Sequence, residues 1–347
     1  MRSIGFTLIC WVILVSCHEK LPQSGYIGEN YRSAPQNFYI ISPLDASPKS
    51  GVNFSTGGKV NLQAEFSHSI SYFVKMKGLN SNASFSISGI GQKIEGNNSI
   101  WDGSHDGIQF FRAGEKVAIE LSFLGSPIIS RDTIIIQRTK VYGIFLSDFE
   151  TTSPAWNTFE PIGPGTETEI NRQETGIPTI QGQGYYRIKG FDLNANYYIN
   201  GVGYTTGKIL APNTNADDVF FNLFVYGNGV TSTKLSIDFA EDDNSDNVFG
   251  NTGAPSYKAE EDQLTWQIPV TWKGWKLISI RYSQIPFSKD LPGGAGLGMK
   301  GNNKREPHKL HQMGFVLLTD PAKSAGDLIF DYPTFTIGKP LQLKDEQ

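Results

Sequence analysis

The sequence predicts an all-β chain in which two β-sandwiches follow a short N-terminal leader. Three observations carry that expectation. Apolar and polar residues alternate over most of the chain, turn signals recur about every 8 to 12 residues, and no stretch sustains the i, i+3, i+4 apolar spacing of a helix. Composition agrees. With 39% hydrophobic and 18% charged residues over 347 positions, the chain can fill about two domains and is not broadly disordered. Its 37 glycines suit a turn-rich β protein. A net charge of −4, with no Lys/Arg block interleaved with aromatics, lacks the electrostatic footprint of a nucleic-acid binder.

The leader sets the expected location. Arg2 supplies a positive start and residues 4–15 an apolar run, shorter than the ~20 residues of a membrane span. The run closes in "LVSC", residues 14–17, where Val15 and Ser16 are small enough for a signal peptidase. This tetrapeptide resembles a bacterial lipobox, which implies cleavage after residue 16 and acylation of Cys17. An ordinary secretory signal with an incidental cysteine is the other reading. Cysteine usage favours lipidation, because Cys10 leaves with the leader and no disulfide can then form within the mature chain. Two or more acyl chains on Cys17 would satisfy what stable membrane attachment requires. Residues 17–37 then read as the acylated cysteine followed by a polar tether.

The first sandwich is expected over residues 38–140. In "KVAIELSF" the residues Val117, Ile119, Leu121 and Phe123 share one face, and Phe85 and Ile87 do the same in "SFSIS". Turns at "SPKSG", "STGGK", "GNNS", "RAGEK" and "LGSP" space these strands as in a small antiparallel sandwich of immunoglobulin-like architecture, without the cysteine pair of antibody domains. Within it, "SIWDGSHDGIQFF" gathers Trp101, Asp102, His105 and Asp106. The stretch reads as a tryptophan capping the sandwich beside Asp-Gly turns, or as a ligand loop. The second unit, residues 141–340, offers eight or more strands and suggests a larger jelly-roll sandwich, with 341–347 as a tail.

The order "SDFE", "GYYRIKG", "DDVFFNLFVYGNG", "LSIDFAEDDN", "WKGWKLISIRYSQIPF" and "FDYPTFTIGKP" resembles the galactose-binding-like jelly rolls used as carbohydrate-binding modules. It is most similar to those of surface glycan-binding lipoproteins in Bacteroidota-type glycan-uptake systems, which combine a lipid anchor, a tether, immunoglobulin-like spacers and a C-terminal glycan-binding sandwich. The resemblance covers residues 141–340, and over 38–140 it is one of architecture. It implies a non-catalytic protein on the outer membrane, exposed at the cell surface, holding a polysaccharide or oligosaccharide near a glycan transporter complex. A structural or adhesion lipoprotein working through protein–protein contacts is the rival from another class. "DTI", residues 132–134, is similar to an O-glycan acceptor of the same bacteria, and an edge-strand Thr133 explains it as well.

Sugar binding calls for aromatic faces and planar polar groups. A hairpin of residues 219–226 and 234–240 would turn Phe221, Leu223, Val225, Leu235, Ile237 and Phe239 inward. Its other face would carry Phe220, Asn222, Phe224, Tyr226 and Asp238 as a glycan platform, unless a loop or the first sandwich covers it. Trp272, beside a Lys-Gly turn, is expected to be exposed, while the resemblance implies that Trp275 packs inward. Trp156 sits in a loop where binding aromatics are common, or closes the sandwich end. The resemblance also maps Asp148, Glu150 and Asp331 onto a structural calcium site, the alternative being carboxylates that accept backbone N–H groups.

The acidic stretch "AEDDNSD" beyond Phe239 has Asp242, Asn244 and Asp246 at calcium-loop spacing. Counted from Asp242, however, Asn247 and Gly253 stand where such a loop needs Gly and Glu, so residues 241–247 read as a solvated turn. Catalytic signals are weaker still. Adjacent Asp242 and Asp243 cannot straddle a glycosidic bond. His308 and His311 lack the Glu and helix of a zinc hydrolase, and the glycine-rich residues 291–304 do not join a strand to a helix. An accessory hydrolase or esterase is therefore not the expectation.

Overall fold

A computed structural model describes residues 31–153, 156–158, 167–169, 172–191, 198–205, 209–229, 233–246, 261–292, 301–319 and 325–342. The lipobox, Cys17, most of the tether, and Asn247 and Gly253 lie outside the described residues. Regular structure in the described part is strand, joined by a few 3-10 turns. Among the described residues no helix is long and apolar enough to cross a membrane.

The first unit contains β1 (Ile40–Ser47), β2 (Val52–Asn53), β3 (Val60–Gly78), β4 (Ser84–Lys93), β5 (Ile100–Trp101), β6 (Lys116–Phe123) and β7 (Ser126–Arg138). They form one seven-stranded sheet, ordered β1-β3-β6-β7-β2, with β4 and β5 also paired to β3. The long strand β3 does the folding. Its first half pairs with β1 and β5, and its second half runs between β4 and β6. The two halves thus serve different layers around one core that includes Val60, Leu62, Phe66, Tyr72, Val74 and Met76. Val117, Ile119, Leu121 and Phe123 enter that core as the alternation of "KVAIELSF" predicts.

The second unit contains β8 (Ile144–Phe145), β9 (Trp156–Thr158), β10 (Glu167–Glu169), β11 (Tyr186–Phe191), β12 (Tyr198–Thr205), β13 (Val219–Asn228), β14 (Thr233–Glu241), β15 (Asp262–Pro269), β16 (Lys273–Arg281), β17 (Leu310–Thr319) and β18 (Ala325–Ile337). One layer runs β10-β11-β18-β13-β16, with β8 on β18, and the opposing layer runs β15-β14-β17-β12-β9. Every pairing is antiparallel. The inner faces meet in a core rich in Phe, with Phe221, Phe239, Phe315, Phe330 and Phe335 all fully buried.

A third apolar cluster belongs to neither core. Phe110, from the loop between β5 and β6, lands on the outer face of the β13–β16–β18 layer among Phe224, Leu277, Tyr332 and Leu341, flanked by Tyr142 and Trp275. Its backbone N–H donates to the Ile180 carbonyl at 2.8 Å, and the Arg112 guanidinium reaches Thr179 Oγ1 at 2.9 Å. The two sandwiches therefore share a packed seam.

Candidate functional site

The predicted hairpin does not form. β13 pairs with β16 and β18, whereas β14 pairs with β15 and β17 in the opposite layer. The inward residues are nevertheless those expected, because two matching apolar faces are buried as well across a sandwich as side by side. The Phe221 and Phe239 rings meet edge to face at 5.3 Å. The outward residues, however, are parted. Asp238 lies on the far side of the sandwich from Phe220, Asn222, Phe224 and Tyr226, and its Oδ1 accepts the Thr265 hydroxyl at 2.6 Å. No single platform can combine them.

Most of that expected platform is also covered. Phe224 is fully buried beneath Phe110, their rings 5.6 Å apart, and Phe220 lies beneath the Arg281 guanidinium at 5.2 Å. Asn222 is fully buried and works as a structural pin. Its Nδ2 donates to Thr336 Oγ1 at 3.0 Å, and its Oδ1 accepts the Ser279 hydroxyl at 2.7 Å and the Leu341 N–H at 2.9 Å. Trp156 is a core residue, packed on Phe149 at 4.8 Å and Phe315 at 5.4 Å. The two tryptophans of "TWKGW" exchange their expected places. Trp272 packs against the main core and donates to the Val225 carbonyl at 3.2 Å, while Trp275 pairs with Tyr226 on the outer face. Trp101 caps the first core, and Asp102 accepts the N–H and hydroxyl of Ser104, so that loop is a built turn.

One end of the outer face stays open, and Tyr226 stands there. Its ring and that of Trp275 are both half-buried, 5.5 Å apart at 70°. The Trp275 indole N–H donates to the Pro178 carbonyl at 2.6 Å, which fixes the ring beside a shallow depression of about 480 Å³ lined by residues 173–178. Strand register brings polar groups to the same end. Arg187 and Lys189 of β11 stand opposite Ile329 and Asp327 of β18, and Tyr226 pairs with Ile329 from the other side. Arg187 grips Asp327 with two 2.8 Å hydrogen bonds and also pairs with Glu174; Asn228 Nδ2 reaches Asp327 Oδ2 at 3.3 Å. Burial opposes the charge on Arg187, but the hydrogen bonds and charges of Asp327 and Glu174 overcome it and hold its pKa above the ordinary value. The aromatic pair and this fixed set of donors and acceptors form the candidate site. The sequence signal was present in Tyr226 and in "GYYRIKG", but their partners come from other strands, Trp275 of β16 for Tyr226 and Asp327 of β18, 140 residues on, for Arg187.

Two of the expected cation residues, Asp148 and Glu150, line a cleft of about 560 Å³ between the sandwiches, and Asp331 is buried behind it. Arg112 and Arg138 line it from one side, and Asp148, Glu150, Gln181 and Gln183 from the other. Here the alternative reading of the carboxylates describes the hydrogen bonds. Asp148 Oδ1 accepts the Glu150 N–H, Glu150 Oε1 accepts the N–H groups of Gln183 and Gly184, and Asp331 Oδ1 accepts that of Tyr332. Gly182 is required for this seat, since at its φ of +46° an added Cβ would lie 2.0 Å from Glu150 Oε1. The three carboxylates are not among the groups drawn within 4.8 Å of one another. One observation still fits a cation. Asp331 is fully buried, its Oδ2 accepts no hydrogen bond among the described residues, and burial with the charges of Glu150 and Asp148 pushes its pKa well up.

No protein-family model matches the chain, and no curated protein matches it. Among solved structures it is similar to the family 11 carbohydrate-binding module of Clostridium thermocellum in complex with a β-1,3-1,4-mixed-linked tetrasaccharide. That match has 15% identity over 57% of this chain and 97% of the module, with a TM-score of 0.36. A family 22 xylan-binding domain matches at 12% identity over 58% of this chain and 98% of its own, with a TM-score of 0.30. The CBM22-1–GH10 modules of a C. thermocellum xylanase, complexed with xylohexaose, match at 17% identity over 57% of this chain and 29% of theirs, with a TM-score of 0.31. The first two neighbours are β-sandwich carbohydrate-binding modules and the third joins one to a GH10 module, and at such values none assigns a role to a residue of this chain.

Proposed function

We propose that the protein is a surface lipoprotein that binds a polysaccharide or oligosaccharide at the open end of the outer sheet in its second sandwich, without chemistry of its own. The observation that carries this reading is the half-buried Tyr226–Trp275 pair on the same face as the Arg187–Asp327–Asn228 network. A pyranose has an apolar face that packs on an aromatic ring and a rim of hydroxyls that hydrogen-bond to planar polar groups. Acylation of Cys17 would hold the chain at the outer membrane, facing outward, where captured glycan could be passed to a transporter complex. A structural calcium ion at Asp148, Glu150 and Asp331 belongs to the same reading, supported by the unpartnered Asp331 oxygen.

The direct test uses the mature chain carrying Cys17→Ser, run by affinity electrophoresis through gels containing a panel of polysaccharides. Retention should fall about tenfold or more for Tyr226→Ala or Trp275→Ala, the loss expected when a central aromatic contact is truncated. Retention that survives both changes would move the site elsewhere, and no retention of the parent on any polysaccharide would favour a protein-contact role. For the cation, Asp331→Asn should remove calcium-dependent stabilisation of the cleft.

A further inference from the structure

The stretch expected to be a solvated turn is divided: Asn244, Ser245 and Asp246 are exposed, while Glu241, Asp242 and Asp243 run into a largely buried acidic pole. We propose that this pole, at the ends of β14 and β15, binds a calcium ion between the carboxylates of Glu241, Asp243 and Asp262. The site shares no residue with Asp148, Glu150 and Asp331, and does not depend on the glycan reading.

Strand register places Glu241 directly opposite Asp262, a like-charge pair that ordinarily destabilises a sheet. Asp243 joins them, its Oδ2 accepting the Asp262 N–H at 3.0 Å. One oxygen from each of the three carboxylates lies within 4.8 Å of the others. Two oxygens sharing one ion at ~2.4 Å can be no farther apart than that, so the trio already has the dimensions of a calcium site. The oxygen-only donor set suits a hard cation, and its irregular shape suits calcium better than magnesium, which demands near-ideal octahedral geometry.

The independent sign of a missing ligand is Glu241. Its side chain is fully buried and belongs to the trio. Oε1 accepts the Tyr282 hydroxyl at 2.8 Å and the Glu306 N–H at 2.7 Å, whereas Oε2 is buried and accepts nothing among the described residues. A buried carboxylate oxygen without a partner costs heavily unless an ion or proton meets it. The surroundings are preset. Gly301 lies so close that an added Cβ would stand 2.3 Å from Asp243 Oδ2, and Asn303 N–H donates to Asp262 Oδ2 at 2.6 Å. A second trio, Asp242, Asp246 and Glu261, adds negative charge alongside. Lys309 offers one ammonium, 3.4 Å from Asp243 and 2.9 Å from Glu306.

The test is calcium chloride titrated into the chelator-treated mature chain carrying Cys17→Ser, followed by calorimetry and by the thermal midpoint. Parent and Asp331→Asn should both bind at this pole, with Tm rising about 5–10 °C at ~100-fold over Kd. The double variant Asp243→Asn, Asp262→Asn should lose that event. In chelator it should melt at or above the parent, because like charges have been removed. Glu241→Gln, which keeps the shape, serves as the second variant if the double one misfolds, and it should weaken calcium binding at least tenfold. A double variant or Glu241→Gln protein that binds calcium as the parent does, or a parent whose calcium response disappears entirely with Asp331→Asn, overturns the assignment.

Discussion

Phe110→Ala probes whether the two sandwiches move as one body. Phe110 is 3% exposed, and its ring centroid lies 4.2 Å from His105, 4.9 Å from Tyr332, 5.5 Å from Tyr142 and 5.6 Å from Phe224. It belongs to the seam and to neither main core, so its removal leaves both cores filled. Truncating a buried Phe to Ala costs about 3–5 kcal/mol, the upper part where surrounding rings cannot collapse into the hole. Four aromatic neighbours from both sandwiches make collapse difficult. For units of this size, ~2–4 °C of Tm per kcal/mol converts the loss to about 10 °C. Differential scanning calorimetry should therefore show a lower first transition for the variant, separated from that of the remaining sandwich. Limited proteolysis should open the 139–143 connection, where Tyr142 is now packed against Phe110. Phe221→Ala, in the second core, should lower stability without separating the transitions. A Phe110→Ala midpoint within about 1 °C of the parent, with one transition, would refute the seam as the coupling element.

The same seam should respond to acid. Burial holds His105 down to about 4 against an ordinary 6.5, with Asp106 partly offsetting this and Lys140 adding to it. The unfolded chain therefore takes up a proton that the folded chain refuses. Stability is full above about pH 6.5, falls as pH drops towards 4, and loses about 3 kcal/mol in all. Urea midpoints at pH 4.5 and 7.5 should differ less for His105→Gln than for the parent, and an equal difference would exclude this residue. Arg187→Met removes the cation that Asp327 and Glu174 share, leaving Asp327 the Asn228 amide and Glu174 the more distant Arg172 and Lys189 at 3.7 and 3.9 Å. It should cost about 3–5 kcal/mol in chemical denaturation, and a loss below 1 kcal/mol would mean that solvent already screens the pair.

The alternation of "KVAIELSF" was legible because a strand of a sandwich buries one face, and its burial follows the sequence residue by residue. What alternation cannot say is which layer a strand joins. β13 and β14 carry matching apolar faces, and those faces are satisfied across the core as fully as within one sheet. The covering of Phe220, Asn222 and Phe224 was illegible for a related reason. Phe224 and Asn222 are covered by Phe110 and Leu341, more than 100 residues away in sequence on either side, and Phe220 by Arg281 of β16, and no local pattern announces either cover. Trp272 precedes β16 and is separated from Trp275 by Gly274 at φ +85°, so strand alternation does not fix how the two face. Only the register of Trp275 against Tyr226 decides which is outside. The acidic pole was half legible. "AEDDNSD" was conspicuous, but its closure needs Glu261 and Asp262, brought in by the β14–β15 pairing.

The candidate site and the seam share one short segment, and this yields a further prediction. Pro178 O accepts the Trp275 indole N–H, Thr179 Oγ1 accepts the Arg112 guanidinium, and Ile180 O accepts the Phe110 N–H. Three successive residues thus tie the outer tryptophan to the first sandwich. If Trp275 holds sugar, loosening the other end of that segment should let its ring drift from the position in which it pairs with Tyr226. Arg112→Ala touches neither aromatic, so any effect on glycan retention must travel through residues 178–180. A coupling of about 0.5–2 kcal/mol is typical of such networks and corresponds to a two- to thirtyfold loss of affinity. Retention of Arg112→Ala equal to that of the parent, with Trp275→Ala still defective, would show that the tryptophan is positioned by its own strand and that the first sandwich is a spacer.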